Sequence, residues 1–268
     1  LANAITKRYV RVSSGQVHLR ETAAVAANPP LYCLHATAYS GRTLEPIMRA
    51  MAGKRRVVAP DTPGYGGSDR PPERWDIGRY ASALGEAIGE AGDRQVDLFG
   101  YHTGAFLATE LAVQRPQLVR RIVLVGVPFF LGDARAERLA TLGKVMHLSD
   151  RLEQFEERWS FLVANRALGV SLDLGFAHFV DELIAYPHGW WAHDAAFRYE
   201  AETRLPLVRQ PSLILNPDNH LAAASREAAR SIPNCRLVEL PRLANAVLDV
   251  AGPELGELID AFLAEIRI

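Results

Sequence analysis

The sequence predicts an α/β fold, a mostly parallel sheet covered by helices on both faces. Three observations carry that prediction. Short apolar runs alternate with stretches of helical spacing through the first half of the 268-residue chain. Several of these runs are apolar at every position rather than at alternate ones, as strands buried on both faces require. After a long helical interval the strand pattern resumes towards the end of the chain.

Each element has its own signal. Tyr9 to Leu19 reads as a hairpin turning at Ser14-Gly15, and Leu31 to Leu34 as a short buried strand after Asn28-Pro29-Pro30. Arg56 to Ala59 is the next strand and stops at Pro60. Ile77 to Ala91 has helical spacing, with Asp76 placed to cap it. Gln95 to Phe99 is a strand, Gly104 to Gln114 an apolar helix ended by Arg115-Pro116, and Arg121 to Val127 a continuous apolar strand. From Phe129 to about Arg204 the chain is amphipathic, aromatic and helical. Strands return at Ser212 to Leu215 and Arg236 to Leu240, and a helix from Pro253 to Ile266 closes the chain. The expected organisation is a core of residues 1–128 and 205–268 with a helical cap, 129–204, inserted between two strands. Loops at the C-terminal strand ends would then face the cap, where open α/β sheets bind ligands.

Composition narrows the classes of function. Hydrophobic residues make up 49% and charged residues 23%, ordinary for a globular chain. Lys+Arg is 30 against Asp+Glu 31, so no net charge pulls the protein towards nucleic acid or an anionic membrane. The only lysines are Lys7, Lys54 and Lys144, few candidates for Schiff-base chemistry. No apolar run is long enough for a membrane helix and Leu1 to Val10 shows no secretory signal, so a cytoplasmic protein is expected. Cys33 and Cys235 lie in or beside apolar runs and read as two reduced thiols. Asp61, Asp69 and the run Gly64-Tyr65-Gly66-Gly67 read as a structural turn, with no phosphate-loop ending.

The chemistry concentrates at Gly100-Tyr101-His102-Thr103-Gly104, between a strand and a helix. Glycines two positions either side of the apex match the spacing of G-x-S-x-G, a sharp turn that pushes its central residue out of the sheet. With this motif, Leu34-His35-Ala36 and Asp61-Thr62-Pro63-Gly64-Tyr65-Gly66-Gly67-Ser68, the chain resembles the α/β-hydrolase fold superfamily over nearly its whole length. The resemblance implies an elbow nucleophile, an acid after the strand at Ser212 to Leu215, and a histidine after the last strand. This chain departs from all three. His102 stands at the apex, the acid loop offers Asp218 and His220, and Asn245 stands where the histidine is expected.

Serine acyl-enzyme chemistry is therefore excluded at the elbow. The expected catalytic set is His102, His220, Asp218 and Asn245. His102 would be base or nucleophile, His220 a proton relay, Asp218 an orienting acid and Asn245 a hydrogen-bond donor to a carbonyl. Backbone N–H groups of Thr103 and of Ala36 or Thr37 would stabilise an oxyanion. His35, Tyr39, Tyr101, Trp190 and Trp191 are expected around the substrate. His35, His102 and His220 could in principle share a zinc, but no metal and no cofactor is expected. His188 and His193 read as surface or core histidines. The expected partner is a small molecule, with no nucleic acid or membrane, and the chain a monomer or homodimer. Three functions stay open: hydrolysis of an ester, lactone or activated C–C bond; a cofactor-free lyase, decarboxylase, isomerase or oxygenase; or a silent ligand-binding protein.

Overall fold

The structure, a computed structural model, describes residues 4–24, 28–142 and 150–265. Residues 1–3, Lys144 and the expected helix end at Ile266 lie outside the described residues.

Eight strands form one sheet: β1 (Thr6–Val12), β2 (Gly15–Glu21), β3 (Leu31–Leu34), β4 (Val57–Pro60), β5 (Val96–Tyr101), β6 (Val119–Val125), β7 (Ser212–Pro217) and β8 (Cys235–Leu240). Their order is β1-β2-β4-β3-β5-β6-β7-β8. The β1–β2 hairpin joins antiparallel to β4, and every later pair is parallel. The chain moves one way from β3 to β4 and then the other way, from β4 past β3 to β5. The switch point, where such sheets open a crevice, lies at the C-terminal ends of β3 and β5. The α/β-hydrolase fold expected from the sequence is what the sheet shows.

Helices cover both faces. α1 (Glu45–Met51) and α10 (Val247–Ala264) pack on one, around Leu31, Phe99, Val123, Leu213 and Leu255. α2 (Ile77–Glu90), α3 (Thr103–Gln114) and α9 (Ala222–Ser231) pack on the other, around Leu98, Phe106, Ile122 and Ile214. Asp76 caps α2 as expected, its carboxylate accepting from the Arg79 N–H at 2.8 Å. The last helix begins six residues before Pro253 and kinks at Ala251 (φ −129°), because Pro253 supplies no N–H to the ladder. Between β6 and β7 the described chain is helical: α4 (Gly132–Leu142), α5 (Glu153–Trp159), α6 (Leu172–Ala185), α7 (Trp191–Arg198) and α8 (Ala201–Arg204).

Tyr65 fastens this inserted segment to the core: its hydroxyl donates to Gly189 O and accepts from Ala192 N–H, both at 3.0 Å. Both cysteines are free thiols, Cys33 in β3 and Cys235 in β8, with three strands between them. Among the described residues, no helix is long and apolar enough to cross a membrane.

Candidate active site

The elbow is built by close backbone approach. A Cβ on Gly104 would lie 2.0 Å from Leu34 O, and one on Gly100 would lie 2.5 Å from Gly104 O. Only glycine lets α3 pack this tightly against β3 and β5. The apex residue bears the strain of the turn: His102 has φ 51° and ψ −114°. Apart from glycines, His102 and Ala246 are the described residues with positive φ. The His102 backbone is held by its N–H to Val125 O at 3.0 Å, while its carbonyl accepts from Ala105 N–H at 2.8 Å.

The His102 ring lies against Gly126, where a Cβ would come within 2.8 Å of Nε2. It packs 4.1 Å from the Tyr101 ring and meets the His220 ring edge-on at 6.0 Å. Nε2 is buried with no hydrogen-bond partner among the described residues. Burial, aided by the charges of His220 and His193, brings the His102 pKa down to about 3, so its imidazole is neutral at physiological pH. His220 is more exposed, and its pKa is lowered by burial and by Arg138.

Backbone donors surround the elbow. Thr103 is the first residue of the twelve-residue helix α3, so its N–H has no acceptor within the helix. Across from it, the loop after β3 is fixed by His35. His35 Nδ1–H donates to Ala36 O at 2.8 Å, and Nε2 accepts from Thr62 N–H at 2.9 Å. No acceptor for the N–H of Ala36 or Thr37 is found among the described residues. Both His35 nitrogens are thus committed. This corrects the expectation of a substrate contact and explains why His35 cannot join a metal site. No group of three or more His, Cys, Asp or Glu among the described residues is arranged to hold a metal.

The remaining expected residues divide. His220 reaches His102. Asp218 and Asn245 are exposed, and no hydrogen bond joins either to His102 among the described residues. The Asp218 N–H is instead bound to Leu243 O at 2.7 Å, tying one loop to the next. The expected orienting contact of Asp218 with His102 is therefore not made. Trp190 lies under Arg74, and Trp191 stacks on His188 at 4.5 Å. It is Gly189 that abuts the loop after β3, at Ala38. Tyr39 packs on His178 at 5.2 Å. His193, read from the sequence as a surface or core histidine, carries charge that bears on His102, and sequence reading passed over the pair His178 and Asp249, with 3.7 Å between Nε2 and Oδ1. Asp61, by contrast, is structural. It accepts from His18, Arg20, Gly41 N–H and Gly67 N–H, and these outweigh its burial to bring its pKa down to about 2.

The profile of the alpha/beta hydrolase fold family matches residues 29–157, which include the loop after β3, the Gly-rich turn and the elbow. A solved hydrolase from Pseudomonas aeruginosa PA01 superposes with a TM-score of 0.82 at 20% identity, covering 97% of this chain and 99% of that one. The chain has the α/β-hydrolase fold, and its residues 29–157 match the family of that fold. Among similar proteins, 3-hydroxybutyrate-oligomer hydrolase of Cupriavidus necator is 30% identical over 139 residues, 51% of this chain and 46% of that protein. The 2-hydroxymuconate semialdehyde hydrolase of Pseudomonas putida is 43% identical over 77 residues, 27% of this chain and 26% of that protein. These matches span less than half the length of either relative. The site presents backbone N–H groups beside a neutral imidazole at the elbow, whose Nε2 has no partner among the described residues.

Proposed function

We propose that this α/β-hydrolase-fold protein hydrolyses an ester, lactone or activated C–C bond of a small, partly apolar carbonyl compound, by direct attack of water. The observation that carries the reading is His102: a strained, neutral imidazole at the switch point of the sheet, with Nε2 buried and unpartnered and a second imidazole 6.0 Å away. A neutral ring with so low a pKa is a poor proton sink but a good hydrogen-bond acceptor. His102 holds the attacking water. His220, the more exposed ring, takes the water's proton. The N–H groups of Thr103 and of Ala36 or Thr37 stabilise the oxyanion. The inserted helices serve as a cap over this site. The names of the two hydrolase relatives, one for an oligoester and one for a semialdehyde, support the same class of reaction.

The test is turnover of a panel of esters, lactones and β-diketones in metal-free buffer, with mass spectrometry of quenched enzyme. Hydrolysis with no acylated protein is expected. Solvent deuterium entering a substrate without hydrolysis would replace this reading with deprotonation chemistry. A flat panel with tight ligand binding would replace it with a binding protein.

A further inference from the structure

Asp249 differs from the other buried carboxylates. Asp61 is saturated as described above. Asp97 is held by Arg55 and Arg120, Asp181 by Arg42 and Ser40, Glu110 by Arg204, Gln114 and Tyr199, and Asp194 by Arg198. Asp249, in the first turn of α10, has a side chain only 8% exposed, and no arginine pairs with it among the described residues. His178 Nε2 of α6 lies 3.7 Å from its Oδ1, beyond hydrogen-bond reach, and that nitrogen is itself buried without a partner among the described residues. The phenols of Tyr101, at the end of β5, and Tyr39, in the loop after β3, lie near enough for the Asp249 charge to bear on them, and Tyr39 packs on His178 at 5.2 Å. Arg42, whose charge bears on His178, is engaged by Asp181. The Tyr101 ring lies tilted against His102 at 4.1 Å, so this cluster adjoins the elbow.

An unpaired buried carboxylate destabilises the fold, and such groups gather where chemistry needs a proton. We propose that Asp249 is the proton carrier of the site, donating to the leaving atom of the substrate, with His178, Tyr39 and Tyr101 as its positioning residues. The step rests on the hydrolysis reading above and balances within it. The bond from carbonyl carbon to leaving atom breaks, hydroxide from water bonds to the carbon, and the Asp249 proton passes to the leaving atom. The proton taken by His220 returns through solvent to the Asp249 carboxylate. Burial favours the protonated acid, bringing the Asp249 pKa up to about 6, within the range general acids use. Burial also lowers the His178 pKa, with help from Arg42, to about 4, so His178 stays neutral while Asp249 titrates.

The experiment compares wild type, Asp249→Asn and His178→Gln on the best substrate of the panel, across pH and in thermal unfolding. For Asp249→Asn, kcat is expected to fall at least about a hundredfold with KM within about threefold. The limb of the pH profile near 6 should vanish, while Tm is unchanged or raised. His178→Gln should shift that limb. Unchanged kcat with the limb intact, or a lowered Tm as the main effect, would overturn the proposal. If wild type turns over nothing, the hydrolysis reading fails by itself, and carbon-13 NMR of Asp-labelled protein decides this inference. An Asp249 signal titrating near 6, and displaced by pentane-2,4-dione, upholds the proton site. A signal titrating in the usual carboxyl range, or indifferent to that probe, overturns it.

Discussion

At the scale of the residue, what distinguishes this chain is an imidazole held where its proton affinity is lowest. His102 is kept at φ 51° and packed between Tyr101, Gly126 and His220. The surroundings that strip it of water supply no carboxylate to pair with its charged form. Nitrogen-15 NMR of the histidine rings should therefore show His102 unprotonated from pH 8 down to about 5, with His220 titrating at higher pH than His102. A His102 signal that titrates near the ordinary value of about 6.5 would contradict this environment. The apex was legible in the sequence because the spacing Gly100-x-His102-x-Gly104 is local. Asp249, His178 and His193 were not. They lie on α6, α7 and α10, far along the chain, and only the fold brings them to bear on residues around the elbow. The tryptophans show the same division. Their position after Pro187 and beside Gly189 is local, but the direction of each ring is set by Arg74 and His188.

At the scale of the element, the site depends on how near α3 comes to β3. A methyl at residue 104 would lie 2.0 Å from one backbone oxygen and 2.6 Å from its carbonyl carbon, and neither can yield without moving a central strand. Gly104→Ala should cost several kcal/mol, about 3 or more, by overpacking a rigid contact. Gly89→Ala is the counterpart. That glycine is exposed in α2 with nothing within 4 Å of an added Cβ, so alanine should stabilise by about 0.5–1 kcal/mol. Chemical denaturation of both variants checks the pair, and equal effects would remove the steric account of the elbow. The strands were legible because their apolar runs are continuous. α1 and α9 were not anticipated: α1 is seven residues long, and α9 is alanine-rich, with little large apolar side chain to mark a face. The start of α10 was placed late because proline favours a first helical turn. In the folded chain, Pro253 sits inside a kinked helix.

At the scale of the whole molecule, the buried titratable groups set how stability responds to pH, and they pull in opposite directions. His102 and His178 have folded pKa values depressed to about 3 and about 4. Below about 6.5 the unfolded chain binds protons at these residues and the folded chain does not, so stability falls with falling pH. Asp249 acts the other way. Its folded pKa is raised to about 6 from 3.8, so it restores stability as pH falls through that window. Two imidazoles outweigh one carboxyl. Between pH 7 and pH 5 the net loss should be on the order of 2 kcal/mol, read as a lower Tm at pH 5. Asp61, with a pKa of about 2, withdraws its support only at still lower pH. A Tm that rises on acidification over this range would contradict the neutral, buried state of His102 and His178.

The central claim is that the elbow imidazole takes part in catalysis. Its most direct test is kcat/KM for wild type, His102→Ala and His220→Ala on the same substrate in metal-free buffer. The account predicts a fall of about a hundredfold to ten-thousandfold for His102→Ala, and a loss for His220→Ala concentrated in kcat. A His102→Ala enzyme, folded and within about twofold of wild type, would contradict it.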